Sequence, residues 1–277
     1  MKKEFRSRLS EWPIDLKCEI GEIPLQKGMR PTSRKEAVIN ALNKYGLTYT
    51  EVGTGTNRFI VRYDGYAVKI ALDKEGVADN MQEFAVSDML SPHVANAYEI
   101  SKGGHLLVAD YYPAFTSYSE MWAHASTIRK ILGTWSQRCL LGDVGLNQYN
   151  YANWGISPEG EPKCIDYAYV FPAGLEMFKC ICGNTAMVMD GNYSEYKCSK
   201  CGRKYQDREL RARISKEERM RLFDNVSGIL MSHPVEEHEI DDKYIVYKRE
   251  PDEPDLYQSS MTAVDHMFGM ETDSWGR

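Results

Sequence analysis

The spacing of hydrophobic residues along the first part of the chain predicts one short helix and then a set of strands. Residues 33–45 place their apolar side chains near the spacing of a helix face, and Gly46 is suited to end that helix. Residues 1–30 mix charged residues with prolines and glycines and show no clear period. We interpret them as an irregular lead-in to the first domain.

The next part of the chain predicts an antiparallel sheet with a single helix inserted in it. Apolar runs are separated by turn sequences, among them Asp64-Gly65, which is a strong hairpin signal. A run with helical period lies between the third and the fourth of these strands. The predicted strands are residues 47–52, 59–63, 66–72, 93–100 and 106–111, and the predicted helix is residues 77–90.

The second half alternates helical segments with polar ones. Residues 117–141 predict one long helix or two, residues 141–153 a polar loop, and residues 154–156 with 162–165 a short hairpin. Farther along, residues 207–230 predict a charged helix. Residues 233–277 are acidic and predict a partly extended, mobile tail.

Composition and charge limit the classes of function. The chain has 277 residues, of which 43% are hydrophobic and 27% charged, as is usual for a globular protein. No apolar run approaches the ~18 residues of a membrane span, and the N-terminus lacks the apolar core of a signal peptide. We therefore expect a cytoplasmic protein without a membrane partner. The net charge of -6 argues against general nucleic-acid binding.

Four of the seven cysteines form a cluster typical of a metal site. Cys180 and Cys182 make one knuckle-like turn, and Cys198 and Cys201 make a second, each followed by glycine. Thiolates at this spacing close a tetrahedral Zn²⁺ site, so we predict a zinc ribbon. Four thiolates leave no open position for a substrate water, which favours a structural role.

A run of basic residues follows the cysteine cluster. It leaves open a local surface for nucleic acid or an acidic partner, although interleaved glutamates are more typical of a solvated helix face. The residues are Arg203, Lys204, Arg208, Arg211, Arg213, Lys216, Arg219 and Arg221.

Lys69 is the first candidate for a nucleotide site. It lies in the apolar run of residues 66–72, where an unpaired ammonium would be costly to bury. Glu83, in the following predicted helix, is its candidate partner, with Glu75 and Asp79 as weaker alternatives. Taken alone, the lysine also fits an exposed edge strand and the glutamate a solvated helix face.

Gly53 and Gly55 form a Gly-x-Gly turn one hairpin before Lys69. Most such pairs are simple turns, so the position of this one matters more than its composition.

The most specific pattern lies between residues 141 and 168. Asp143 begins the polar loop, Asn153 ends it within Asn153-Trp-Gly-Ile, and Asp166 follows an apolar hairpin strand. Together with Lys69, these residues resemble the phosphate-binding lysine, the catalytic loop and the metal-binding strand of the protein-kinase-like superfamily. The resemblance covers roughly residues 35–170, and the divergent, reduced architecture resembles kinase-like proteins carried by bacteriophages.

The resemblance implies a role for each residue. Lys69 would hold the phosphates of ATP, with Glu83 positioning it and Gly53 and Gly55 covering the nucleotide. Asp166 and Asn153 would hold Mg²⁺, and Asp143 would accept the proton of the acceptor hydroxyl. The predicted Zn²⁺ ligands Cys180, Cys182, Cys198 and Cys201 form a separate site.

The sequence departs from the kinase pattern at three points. The third glycine of the glycine-rich turn is missing, and Leu141-Gly142 replaces the usual histidine and arginine before the catalytic aspartate. The loop after Asp143 is longer than in protein kinases, so Asn147 or Asn150 stays an alternative to Asn153 as the metal ligand.

The predicted fold is α+β and protein-kinase-like, with an antiparallel N-lobe sheet, a reduced helical C-lobe and a zinc-ribbon insertion. The predicted divisions are an N-terminal extension, the N-lobe, the catalytic-loop region, the ribbon, and a helical segment with an acidic tail: residues 1–32, 33–113, 114–176, 177–206 and 207–277.

The expected function is Mg²⁺- and ATP-dependent phosphoryl transfer to a serine or threonine hydroxyl of a protein. The alternatives are a pseudokinase that acts as a binding or scaffold module, a small-molecule phosphotransferase, and a zinc-ribbon nucleic-acid binder. The missing third glycine favours the scaffold, and retention of Lys69, Asp143 and Asp166 favours an enzyme.

Overall fold

The described part of the chain forms five α-helices and thirteen strands. The computed structural model describes residues 9, 11–25, 32–101, 103–136, 139–172, 179–184, 187–190, 195–206, 209–210, 213 and 246–248. The helix predicted for residues 207–230 and the tail predicted for residues 233–277 lie almost entirely outside these ranges. Among the helices of this part, none is long and apolar enough to cross a membrane.

Two helices cover one face of the first sheet. Helix α1 (Ile14–Glu22) and helix α2 (Thr32–Lys44) share a buried apolar cluster with the sheet. The irregular lead-in predicted for residues 1–30 is therefore wrong for α1. This helix buries Leu16 and Ile20, one turn apart, and so short an apolar stripe gives no visible period in the sequence.

The predicted antiparallel sheet is confirmed. Its first strands are β1 (Thr50–Thr54), β2 (Arg58–Tyr63) and β3 (Tyr66–Ala71), and helix α3 (Lys74–Leu90) follows them. Strands β4 (Ala97–Ser101) and β5 (Leu106–Asp110) complete the order β1-β2-β3-β5-β4.

Strand β3 is buried on both faces, and this placement determines where Lys69 points. Val68 and Ile70 belong to the cluster shared with α1 and α2, whereas Ala71 packs with residues of α3. Because side chains alternate along a strand, Lys69 lies on the same face as Ala71 and is directed toward α3. The alternative of an exposed edge-strand lysine is thereby excluded.

The strand predicted for residues 93–100 is shorter than expected. Its first residues pair with a different element: the Ala95 N–H donates to the Cys164 carbonyl, and Val94 bridges Cys164 in parallel. The chain then joins the sheet: the Asn96 carbonyl accepts the Asp110 N–H at 3.0 Å, and the strand itself begins at Ala97.

Of the two alternatives predicted for residues 117–141, one long helix or two, the structure has two. Helix α4 (Tyr118–Ala123) and helix α5 (Ala125–Trp135) meet at His124, whose backbone angles (φ -100°, ψ 8°) are not helical. Strand β6 (Cys139–Leu140) follows, and the predicted hairpin is confirmed as β7 (Trp154–Ile156) and β8 (Pro162–Cys164). Strand β9 (Phe171–Pro172) then pairs with β6.

The cysteine-rich segment contains a small antiparallel sheet of its own. It consists of β10 (Met187–Asp190), β11 (Glu195–Cys198) and β12 (Lys204–Gln206), in that order. Strand β13 (Val246–Lys248) returns to the first sheet, where it pairs antiparallel with β4 and becomes the sixth strand.

Candidate functional site

Lys69 and Glu83 form a buried ion pair between β3 and α3. The Lys69 ammonium contacts one carboxylate oxygen of Glu83, and it also donates to the Ile165 carbonyl at 2.6 Å. Glu83 is completely buried, so the solvated helix-face alternative is excluded for it. Its other oxygen, Oε1, accepts the Tyr167 backbone N–H at 3.2 Å.

Arg58 is a second buried cation of the site, and the sequence reasoning missed it. It begins β2, and its Nη2 donates to Glu83 Oε1 at 2.9 Å and to Asp166 Oδ1 at 2.8 Å. Burial alone would lower the pKa of Arg58, but the carboxylates of Glu83 and Asp166 raise it well above its usual value. The available signal was its position, three residues after Gly55, where the third glycine of the pattern is missing.

Asp166 lies beside these charged residues, immediately after the β7–β8 hairpin. The Asn153 carbonyl accepts the backbone N–H groups of Ile165 (2.8 Å) and Asp166 (3.3 Å), which joins the hairpin to the end of the polar loop. Burial would raise the pKa of Asp166, but Arg58 and Lys69 hold it below its usual value. The carboxylate is therefore ionised near neutral pH.

The three asparagines of the polar loop have different surroundings. Asn147 is exposed, and its side-chain oxygen accepts the Tyr149 N–H at 2.8 Å. Asn150 is buried and donates to the Gly145 carbonyl at 3.1 Å. Asn153 donates from Nδ2 to the Asp143 carbonyl at 2.9 Å, so it is bonded to the residues of both aspartates.

Asp143 lies in a tightly packed part of the loop. Gly142 has a φ of +59°, and a Cβ there would lie 2.2 Å from the Tyr169 carbonyl oxygen, so a larger residue does not fit. The fully buried Trp154 donates from Nε1 to the Val144 carbonyl at 2.9 Å. These contacts fix the backbone on both sides of Asp143, next to the segment that follows Asp166.

Gly53 lies near the end of β1, where it pairs with Ile60 of β2, and Gly55 lies in the turn that follows. The Gly55 N–H donates to the Arg58 carbonyl at 2.9 Å, which closes the turn, and a Cβ on Gly53 would meet nothing within 4 Å. Asn57 anchors the end of the turn to α3 by donating to Asp79 at 3.0 Å. Space for a ligand therefore remains at the glycines.

The donor set around Asp166 fits a magnesium ion. A carboxylate and a carboxamide oxygen are the kinds of ligand that Mg²⁺ takes in nucleotide sites. The Asp166 side chain is 42% exposed, so an ion can reach it from solvent. Lys69 supplies positive charge of the kind that phosphates require, whereas the charge of Arg58 is taken up by Glu83 and Asp166.

The structure brings the four cysteine sulfurs of the predicted ribbon together. They all lie within 4.8 Å of one another, with 3.5 Å between Cys180 and Cys201 and 3.6 Å between Cys182 and Cys198. A tetrahedral zinc ion with Zn–S bonds of about 2.3 Å holds its sulfurs about 3.8 Å apart. The cluster is therefore compatible with zinc.

Hydrogen bonds favour the thiolate form of two of these cysteines. The Cys182 backbone N–H and the Tyr205 hydroxyl lower the pKa of Cys180. Burial would raise the pKa of Cys198, but the Cys201 backbone N–H and the Asn184 amide lower it to about 6. Thiolate is the form that binds metal.

The cysteine-rich sheet is joined to the start of the polar loop. The buried Tyr196 hydroxyl accepts the backbone N–H of Leu141 at 2.6 Å. Tyr196 also belongs to an apolar cluster that contains Leu140 of β6, Phe171 of β9 and other residues of the cysteine-rich segment.

Two residues of the predicted basic run, Arg203 and Lys204, are exposed in the cysteine-rich segment, and most of the others lie outside the described residues.

Comparison with known proteins leaves the family of the chain open. No family model matches, and no curated protein matches. The chain is similar to the Rio2 kinase from Chaetomium thermophilum, whose crystal structure is an ADP/Mg²⁺-phosphoaspartate complex. The identity is 11%, the alignment covers 85% of this chain and 76% of that chain, and the TM-score is 0.35. A similarity of this size does not define a function, which must come from the side chains themselves.

Proposed function

We propose that the chain is a protein-kinase-like phosphotransferase that uses ATP and Mg²⁺. The observation that carries the proposal is a cluster of two buried cations with two carboxylates, in which Lys69 and Arg58 both pair with the buried Glu83 and Arg58 also binds one oxygen of the partly exposed Asp166. A fully buried glutamate paired with two cations is expensive to maintain for stability alone. Sites that bind phosphate and metal gather charges in this way.

Each residue has a role that its surroundings support. Lys69 binds the nucleotide phosphates, and Glu83 positions it. Gly53, at the end of β1, and Gly55, in the exposed turn after it, cover the nucleotide, and no atom lies closer than 3.8 Å to a Cβ built on either glycine. Asp166 and Asn153 hold Mg²⁺, which when bound neutralises charge on the phosphates.

Asn153 is preferred to Asn147 and Asn150 as the metal ligand. Its carbonyl accepts the Asp166 N–H, and its side chain is bonded to the Asp143 backbone. The side-chain hydrogen bonds described for Asn147 and Asn150 stay within the loop, as does that of Asn153, so the backbone bond to Asp166 is what favours Asn153.

Asp143 orients the acceptor hydroxyl and takes its proton. During transfer, the bond between the γ-phosphorus and the ADP oxygen breaks and a bond to the acceptor oxygen forms. The acceptor is proposed to be a serine or threonine hydroxyl of a protein.

The divisions proposed for the chain are an N-terminal extension at 1–32, an N-lobe at 33–113, a catalytic-loop region at 114–176, a zinc ribbon at 177–206 and a helical segment with an acidic tail at 207–277. One apolar cluster joins α1 and α2 to the first sheet, one surrounds α5 and the β7–β8 hairpin, and one contains Cys180 and Cys198. The second cluster also takes in Val86 and Leu90 of α3, and the third takes in Leu140 and Phe171, so neighbouring divisions share core residues.

A nucleotide-binding scaffold is the second candidate. Arg58 already neutralises Asp166, and this favours a site that binds a nucleotide without transferring phosphate. The two functions differ in whether label moves from ATP to an acceptor.

The test is transfer of label from γ-labelled ATP, with Mg²⁺, to the protein itself and to proteins of a cell lysate. We expect transfer that Asp166→Asn abolishes and that Asp64→Asn leaves intact. Asp64 is a matched control because it lies exposed in the β2–β3 turn with a φ of 46°, which asparagine also tolerates. Nucleotide binding without transfer would favour the scaffold, and no binding would refute both.

A further inference from the structure

Arg58 takes the place of a glycine in the pattern of the nucleotide turn. The sequence runs Gly53-x-Gly55-x-x-Arg58, and the structure puts Arg58 at the first position of β2, opposite Ala71 of β3. Its side chain therefore lies on the same face of the sheet as Lys69 and reaches the same buried glutamate. A glycine at this position would contribute only backbone, whereas Arg58 adds a fixed cation to the site.

The position of the Arg58 guanidinium is fixed from the protein interior. Glu83, which is completely buried, accepts from Nη2 at 2.9 Å, and Asn80 Oδ1 lies 3.5 Å from Nη1. Asn80 is itself held by donations to the carbonyls of Lys69 (3.2 Å) and Gly104 (2.9 Å). The guanidinium is thus anchored to α3 and β3 before it meets Asp166.

Exposure differs sharply between the two ends of the Arg58–Asp166 pair. The Arg58 side chain is 5% exposed, and that of Asp166 is 42% exposed. The arginine is thus the fixed member, and the aspartate is the member that faces a ligand. Because Arg58 binds Oδ1, the other carboxylate oxygen is the one that can coordinate a metal.

We infer that Arg58 is a positioning residue, which holds Asp166 in the orientation that binds the divalent metal of the nucleotide complex. The inference rests on the proposed function. Groups that hydrogen-bond a ligating carboxylate orient it, and their loss typically weakens metal binding about 10–100-fold. Removing Arg58 would also leave Lys69 as the only cation of the cluster, beside both Glu83 and Asp166.

The test separates metal binding from nucleotide binding. Mn²⁺ affinity is measured by electron paramagnetic resonance on protein saturated with a non-hydrolysable ATP analogue. Binding of a fluorescent ATP analogue is measured separately in excess EDTA. For Arg58→Met we expect Mn²⁺ affinity to fall about tenfold or more, while metal-free nucleotide binding changes less than about twofold.

Arg62→Met is the matched control, because Arg62 lies on the same strand but is exposed and stacks on Tyr111 at 4.7 Å. It should change neither affinity. Arg58→Lys is a milder variant that keeps the buried charge beside Glu83 but loses the planar fork that reaches both carboxylates. We expect it to lose about threefold or more in Mn²⁺ affinity and so to report on the same contact if Arg58→Met does not fold.

Three results would overturn the inference. Mn²⁺ affinity unchanged in both Arg58 variants would exclude positioning, and increased affinity would show that Arg58 competes with the metal. Equal losses of Mn²⁺ affinity and of nucleotide affinity measured in excess EDTA would show that Arg58 has a general structural role. If the wild-type protein binds neither ligand, the proposed function fails with it, which is distinct from a failure seen only in the variants.

Discussion

The hydrogen bond between Tyr196 and Leu141 makes the stability of the polar loop depend on the cysteine-rich sheet. Leu141 is two residues before Asp143, and its N–H is bound to the Tyr196 hydroxyl at 2.6 Å. Both residues are buried, at 1% exposure or less. Replacing Tyr196 by phenylalanine removes this acceptor but keeps the aromatic ring.

The expected loss of stability follows from the buried N–H that remains. A buried donor left without its acceptor typically costs about 1–3 kcal/mol, and retention of the ring keeps most of the packing. We therefore expect the free energy of unfolding to fall by about 1–3 kcal/mol in Tyr196→Phe.

The measurement is urea-induced unfolding of the zinc-loaded full-length protein, together with hydrogen exchange at the Leu141 amide. The control is Tyr149→Phe, the same chemical change on a side chain from a residue that is 81% exposed. We expect the control to stay within about 0.5 kcal/mol of wild type. Both variants keep the four cysteines, so metal analysis should find equal zinc contents.

The reasoning would be refuted by a Tyr196→Phe protein whose unfolding free energy matches that of Tyr149→Phe. An unchanged exchange rate at Leu141 would refute it as well. Faster exchange at Leu141 with lower stability would support it and would show that the loop before Asp143 is held from the cysteine-rich side.

Two further predictions concern the first sheet. In Gly76→Ala, the new methyl group would lie 2.1 Å from the Asn57 carbonyl oxygen, so thermal unfolding should show a free energy of unfolding lower by about 1–3 kcal/mol. Gly133→Ala, in an open position of α5, should instead raise that free energy by about 0.5–1 kcal/mol. Equal effects of the two substitutions would contradict the packing argument. His105 is largely buried and lies near Arg34. Burial is the larger cause and the Arg34 charge the smaller cause that lower the pKa of His105 to about 4. As pH falls, the unfolded state therefore takes up the proton before the folded state does. Stability should therefore fall by on the order of 3 kcal/mol as pH drops from about 6.5 to 4, and unfolding curves of His105→Gln that keep the full pH dependence would contradict this.

Local patterns in the sequence were enough to predict most of the first sheet and the candidate residues of the site. Lys69 is conspicuous because it interrupts an apolar strand, and Asp166 because it ends one. Their roles stay predictions, but their placement needs only the alternation of a strand and the order of the elements.

The features that the sequence did not predict depend on contacts between distant parts of the chain. Arg58 meets Asp166 across 108 positions of sequence, and an arginine after a glycine turn looks ordinary without that partner. The two buried apolar residues of α1 can be recognised as a core-facing stripe only when the sheet that they pack on is known. The break between α4 and α5 carries no proline or glycine signal at His124.

The late position of strand β13 in the sequence has a consequence for the protein during its synthesis. It pairs with β4 through Val246–Lys248, although the other five strands of that sheet are complete by Asp110. During synthesis, β4 therefore presents an open edge until the last part of the chain has emerged, and open edges invite pairing with other chains. Aggregation of nascent or shortened chains is the hazard that this arrangement creates, and pairing with β13 covers β4 so that the edge becomes a strand of three residues.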